Sequence, residues 1–436
     1  MTVRSVTGED MASVSGEFEQ AWPRIVRALA SFTGSLDDAE EYAAEAVARA
    51  ADHERRTGTP IDSWAAWCTS VAKRAWLDDA RRRSVERRLA PELARPDTDA
   101  MSSPVTDRTV MDADDLSRAG LDDRLALLFV ACDEALSPAS RMVLALRVVC
   151  GLTVSQIAGH LGVQETAAAA RLSRAKRALS EARGSFRVPD AVERERRLPV
   201  VIACVSGMFT VAHRAVLDPV DGVADTGRQA LSIADAVVAA YPSDTEARGL
   251  RAVIRLGLAR RPGRIDDTGT GLALDEVDRS RWDVGLLRAG LADATAAAAG
   301  DGRFAIEAAI AGLHSSAASF AETDWDRIVA LYSGLEQRWP SPAVHVARLA
   351  ATAHGCLARG LDTSGVEREL RTLEAGSAAY ASRDAALALA DIAWRTGRRR
   401  MAAALYLDLA EVLEPEPLRR FCLRRAAAGD HPSETG

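Results

Sequence analysis

The chain has 436 residues, 48% of them hydrophobic, enough for real cores and too many for wholesale disorder. Aromatics make up only 5%, and Ala and Leu dominate the apolar share, which disfavours a large sheet and predicts an all-α protein. The net charge of −7 excludes a polycation, so any nucleic-acid binding has to come from local patches.

In chain order, residues 17–90 read as a compact helical block. FEQAWPRIVRALASF puts Phe18, Trp22, Ile25, Val26 and Leu29 at helical spacing, and Gly34 breaks the run. LDDAEEYAAEAVARAADH opens with acids, as a helix N-terminus prefers. After a turn at Gly58 and Pro60, SWAAWCTSVAKRAWLDDARRRSVERRLA forms a third long helix with a basic end. Residues 91–120 are rich in Pro, Ser, Thr and Asp and read as a linker. LDDRLALLFVACDEAL then reads as one helix, and SPASRMVLALRVVCG as a second, capped by Ser137 with Pro138 at its first position. TVSQIAGHLG is a short third and VQETAAAARLSRAKRALSEAR a fourth. From residue 201 to 430 the chain is Ala-rich and helical, with pairs such as DAALALADIAWRTGRRRMAAALYLDLAEVLEPEP turning at Gly397, a degenerate tetratricopeptide-like array. The last residues, AGDHPSETG, read as a frayed tail.

No stretch approaches the ~20 apolar residues that span a bilayer. The N-terminal MTVRSVTGEDMASVSGEFEQ lacks the pattern of a signal peptide, so a cytoplasmic protein without membrane contact is expected. The six cysteines, Cys68, Cys132, Cys150, Cys204, Cys356 and Cys422, show no CxxC spacing and read as small core residues; no metal is expected.

The sharpest local pattern lies at residues 137–182. Thr153 caps the short helix, with Gln156 at the capping-box position. Ala158 is small where two helices cross, and Gly162 sits where a tight turn needs a left-handed residue. The longer helix that follows is basic in its second half, and six cations against Glu181 lie within residues 171–187. This is the layout of a helix-turn-helix that binds phosphates through a local patch; an ordinary hairpin with a solvated basic face has the same pattern. A second patch spans residues 73–88, with seven basic and three acidic residues beside Trp64, Trp67 and Trp76. Rings beside arginines suit single-stranded DNA, while tryptophans at helical spacing also suit a core. Trp67 is expected to be core, with Trp64 and Trp76 open to either role. The acidic helix 37–54 could dock on a basic protein surface or simply face solvent.

The order of acidic helix, aromatic-basic helix, linker and helix-turn-helix resembles the extracytoplasmic-function sigma factors of bacterial RNA polymerase. The residues that carry it are LDDAEEYAAEAVARA, WAAWCTSVAKRAWLDDARRR and LTVSQIAGHLGVQETAAAARLSRAKRAL. Beyond residue 200, ARRPGRID, LDEVDRSRWD, AAIAGLH, TDWDRIVALY and SPAVHVARLA resemble the subfamily with a long tetratricopeptide-like extension. The resemblance implies two small helical domains, a region 2-like domain over 1–90 and a region 4-like helix-turn-helix domain over 121–185. The linker 91–120 joins them, and a helical-repeat regulatory domain over 195–430 follows. It implies core RNA polymerase as partner, through the β′ clamp helices with Asp38, Glu41 and Glu45, and through the β flap. Promoter DNA would be held at the melted minus-ten element by Trp64, Lys73, Arg74, Arg81, Arg82 and Arg83. The minus-thirty-five element would be read by Gln164, Glu165, Thr166, Arg171, Arg174, Lys176 and Arg177. The chain departs from the family pattern at Ala44, at Arg74, in the alanines 167–170 and in VSGMFTVAHRAV.

No nucleophile–base pair is visible, so no catalytic residue and no cofactor are expected. His213, His314 and His345 are isolated and read as packing residues. DRSRWD, residues 278–283, reads as a buried ion-pair network bracing a junction or as a contact with a ligand or a regulatory protein partner. The rival to a sigma factor is a helix-turn-helix transcriptional regulator with a helical-repeat sensor.

Overall fold

A computed structural model describes residues 8–89, 121–215, 225–376, 379–413 and 416–430. The linker expected over 91–120 and the end of the tail lie outside them. The described residues hold eighteen α-helices and no strand, as the composition predicts. Their contacts divide into two units: residues up to Met208 with 225–229, and 209–215 with 230–430.

The first unit opens with α1 (Gly8–Thr33), α2 (Leu36–Thr57) and α3 (Trp64–Leu89), which pack on one another. Trp22, Ile25, Val26 and Leu29 form the buried stripe of α1. Gly34, at φ 72°, ends that helix, and the Ser35 hydroxyl accepts the Asp38 N–H to start α2. Trp64, Cys68 and Ala72 are the buried stripe of α3. Then come α4 (Asp123–Ala131), α5 (Pro138–Val148), α6 (Val154–Leu161), α7 (Glu165–Arg183) and α8 (Ala191–Ala215). The helix predicted over 121–136 stops at Ala131. Asp133, 1% exposed, turns out of the helix to accept the Ala135 N–H at 2.9 Å and a distant arginine, Arg183, at 2.8 Å.

Most of the second unit is α9 (Thr226–Ala240), α10 (Thr245–Ala259), α11 (Val284–Ala297), α12 (Arg303–Ser316), α13 (Trp325–Arg338), α14 (Pro342–Ala358), α15 (Ser364–Gly376), α16 (Ala379–Arg395), α17 (Arg399–Val412) and α18 (Glu416–Asp430). Helices pack mainly on sequence neighbours, in a succession of local cores. One gathers Ile306, Ile310, Trp325 and Ile328, the next Val346, Leu349, Leu370 and Leu389, the last Tyr406, Leu409 and Phe421. Nearest-neighbour cores of this kind are compatible with a helical-repeat array. Of the two readings of DRSRWD, the buried ion-pair network is not seen: Arg281 pairs with Asp267 at 3.4 Å, and that pair is exposed. Asp278 caps a short turn by accepting the Ser280 N–H, Asp283 caps α11 by accepting the Leu286 N–H, and Arg279 donates to the carbonyls of His314 and Ala317.

The α10–α12 contact depends on a missing side chain. A Cβ at Gly249 would sit 2.5 Å from the carbonyl carbon and oxygen of Phe304. Gly249→Ala gains about 1 kcal/mol of helix propensity, but the obstacle is backbone and cannot rotate away. A net loss of roughly 2 kcal/mol is expected in urea unfolding; a variant as stable as its parent would mean that the two helices part freely.

Candidate nucleic-acid interface

The helix-turn-helix is built as its residues predict. Thr153 and Gln156 form a reciprocal capping box, with the Thr153 N–H donating to Gln156 Oε1 at 2.8 Å and the Gln156 N–H to Thr153 Oγ1 at 3.2 Å. Gly162, at φ 62°, ends α6 in the left-handed region. Gln164 then leads into α7 without using its side chain as a cap. Ala168, Leu172, Ala175 and Leu179 form the buried stripe that seats α7 on α5 and α6. Gln164, Glu165, Thr166, Arg174 and Arg177 are exposed, and Arg171 is half-buried. Arg177 lies 3.7 Å from Glu181, one turn on.

Lys176 departs from the expected surface. Its ammonium lies 2.8 Å from Asp37 Oδ1 and pairs with Glu40, leaving the side chain 15% exposed. Burial works against the charge, yet Glu40 and Asp37 outweigh it and hold the Lys176 pKa above the ordinary lysine value. Glu40 is 2% exposed and also meets Arg147 Nε at 2.8 Å. Its oxygens sit at ion-pair distance without hydrogen-bond alignment. The acidic helix and the basic helix, predicted to face different macromolecules, therefore face each other. Arg27, 4% exposed, adds a second clasp, with Nη1 2.7 Å from Asp123 and 3.1 Å from the Leu121 carbonyl. The Phe186 N–H donates to the Gly34 carbonyl at 3.0 Å.

On the first three helices, Arg74, Arg81, Arg82 and Arg83 are exposed, as are Glu41 and Glu45. Three of these charges are met locally: Arg81 by Asp78 at 3.1 Å, Arg82 by Asp79 at 2.8 Å and Glu45 by Arg49 at 2.6 Å. Lys73 is half-buried over the Phe32 ring. Trp64, open to either role in the sequence and given a minus-ten contact only by the resemblance, is 4% exposed and donates to Glu54 Oε1 at 3.1 Å; it is the core residue that Trp67 was predicted to be, and Trp67 is half-buried against His53. Trp76 is half-buried on Phe32 and donates to Asp38 at 3.1 Å, so Asp38 is tied up within the block. Tyr42 donates to Asp79 at 2.7 Å, and burial followed by that carboxylate raises its pKa to about 12.

Sequence reasoning missed Glu40, Arg147, Arg27 and the Asp133 cluster. Glu40 could have been found: it lies on the stripe of Leu36, Ala39, Ala43 and Ala46, where a carboxylate needs a partner. Among the described residues no group of His, Cys, Asp or Glu could hold a metal ion, and no helix is long and apolar enough to cross a membrane.

Comparison with known proteins adds to this geometry. The family model described as sigma-70, region 4, matches residues 127–179, the span from α4 to most of α7. A family of unknown function, DUF6596, matches residues 197–298. The chain is 36% identical over 347 residues to the uncharacterized protein R00370 of Rhizobium meliloti, covering 79% of each. It is 31% identical over 187 residues to the probable ECF RNA polymerase sigma factor SigI of Mycobacterium tuberculosis, covering 43% of this chain and 60% of that protein. No solved structure matches.

Proposed function

Because the chain belongs to the family of protein R00370 and carries a sigma-70 region 4 segment, we propose that it is an alternative RNA polymerase sigma factor. It belongs, on this reading, to the extracytoplasmic-function group with a tetratricopeptide-like extension. It binds core polymerase in the cytoplasm through the exposed Glu41 and Glu45 of α2, directs initiation at its promoters, and leaves catalysis to the polymerase. The second unit modulates that activity. The observation that carries the proposal is the region 4 helix-turn-helix with the N-terminal face of α7 exposed, preceded in the same unit by a three-helix block whose arginines are also exposed. The exposed alanines 167, 169 and 170 leave that face without bulk. A groove edge could approach closely, with Gln164, Glu165, Thr166 and Arg171 as the polar groups in reach.

The test is transcription in vitro with purified core polymerase. Promoter-dependent transcript that needs this chain supports the proposal. DNA binding with no such transcript would return the chain to the class of helix-turn-helix regulators. Arg171→Ala combined with Arg174→Ala is expected to weaken DNA binding and to lower the slope of log affinity against log salt by about 1 to 2. An unaltered slope in a titration from low to high salt would remove α7 from the groove.

A further inference from the structure

The second unit encloses a cavity of about 480 Å³, within the range of small-molecule sites. Its wall is drawn from segments far apart in sequence, from Arg260 at the end of α10 to Phe421 in α18. Trp282, Phe320, Tyr406, Leu272 and Leu387 give it an apolar lining, and Leu274, 53% exposed, stands at its mouth.

The charges in this wall are unbalanced. Asp391 is taken by Arg395 at 2.7 Å, and Arg395 also reaches Asp275 at 3.0 Å. Arg264 and Asp384 are likewise engaged. Arg279 stacks on Trp282 and donates from Nη1 to the carbonyls of His314 and Ala317. Arg260 donates only its Nε, to the Leu256 carbonyl at 3.2 Å, and no carboxylate among the described residues reaches it. Burial, then the like charges of Arg264 and Arg279, lower its pKa to about 10, so the guanidinium is still charged at neutral pH. Burial and then Arg260 lower the His314 pKa to about 4, and burial lowers that of His354, which keeps both rings from adding positive charge beside the arginines. Two further polar atoms in these walls, Trp282 Nε1 and His354 Nδ1, are buried with no hydrogen-bond partner among the described residues. Arg260 is half-buried, and a cation so placed without a counter-charge is costly unless something supplies one.

We propose that this cavity is a binding site for an organic monoanion with an apolar body, a carboxylate or its equivalent, whose charged head meets Arg260 while its body lies against Trp282, Phe320 and the leucines. The chain's second unit would then be a sensor of a small amphipathic acid. This goes beyond the sigma reading and stands independently of it: a missing promoter transcript would leave the site untouched, and a failed titration would leave the sigma assignment untouched.

The test uses the full chain and two probes, the fluorescent aryl sulfonate 8-anilinonaphthalene-1-sulfonate and decanoate, with 1-decanol as the uncharged control. Expected are one saturable fluorescent site, displacement by decanoate, and little displacement by decanol at the same concentration. Arg260→Met should weaken both anions at least tenfold. It should leave the melting temperature of the unliganded chain unchanged or raised, because it removes a half-buried charge that no carboxylate balances; decanoate should then no longer protect the chain from heat. Leu274→Trp, which narrows the mouth and leaves every arginine in place, should also weaken both. Absence of a saturable site, equal displacement by decanol, or an Arg260→Met chain that binds both anions as tightly as the parent would each overturn the proposal.

Discussion

Replacing Glu40 by glutamine is expected to destabilise the first unit by about 3 to 5 kcal/mol, the range for breaking a buried ion pair from one side. The carboxylate is 2% exposed and stands between Arg147 and Lys176, themselves 22% and 15% exposed. The amide would leave both cations enclosed, with only Asp37, 66% exposed, beside the lysine. Replacing all three members by apolar residues, Glu40→Leu with Arg147→Met and Lys176→Met, should recover most of the loss, since no unpaired charge then remains. Urea unfolding of the full chain reads both results, and a Glu40→Gln chain that unfolds with its parent would mean that these pairs do not hold α2 against α7. A second readout follows from the proposed function. Freed from Glu40, Lys176 becomes available to phosphate, and the salt slope for duplex DNA should steepen by about 1. An unchanged slope in a destabilised variant would exclude Lys176 from the DNA contact set.

The difference between Lys176 and its neighbours marks what can be read from a sequence here. Local signals were legible because their partners are local. Ser35, Ser137 and Thr153 cap helices through N–H groups three residues on, and Gly34, Gly58 and Gly162 take the left-handed backbone that ends a helix. The helix-turn-helix follows almost entirely from such signals. Side-chain fate depends on partners that sequence spacing does not reveal. Lys176 has the same local charge pattern as Arg174 and Arg177, and only Glu40 and Asp37, far away in the chain, separate it from them. Trp64 and Trp67 sit on one helix within one turn, and the one that is inside, Trp64, has its partner in Glu54, ten residues away. The cavity of the second unit is the extreme case. His314 looks isolated in the sequence, and only the packing of α12 against its neighbours brings it near Arg260, with His354 of α14 in the same wall.

Asp133→Asn should be the other costly change, and its cost should depend on pH in a defined sense. Asp133 accepts from Arg183 Nε at 2.8 Å, lies 2.9 Å from Arg197 Nη2 and accepts the Ala135 N–H at 2.9 Å, which ties the turn after α4 to α7 and α8. Burial pushes the carboxyl up, but Arg183, the Ala135 N–H and Arg197 pull harder and hold it below the usual aspartate value. An aspartate depressed in the folded state stabilises above its unfolded pKa of about 3.9 and loses that contribution as pH falls through the folded value. At pH 7 the asparagine variant should therefore be about 3 kcal/mol less stable, as expected when one partner of a buried ionic cluster is removed. The gap between parent and variant should stay full down to about pH 4 and narrow only below it. Unfolding curves collected from pH 7 to pH 3 decide the matter. Parallel loss of stability in the two chains across the acid range would mean that the charge of Asp133 does not hold this junction, and that the early end of α4 has another cause.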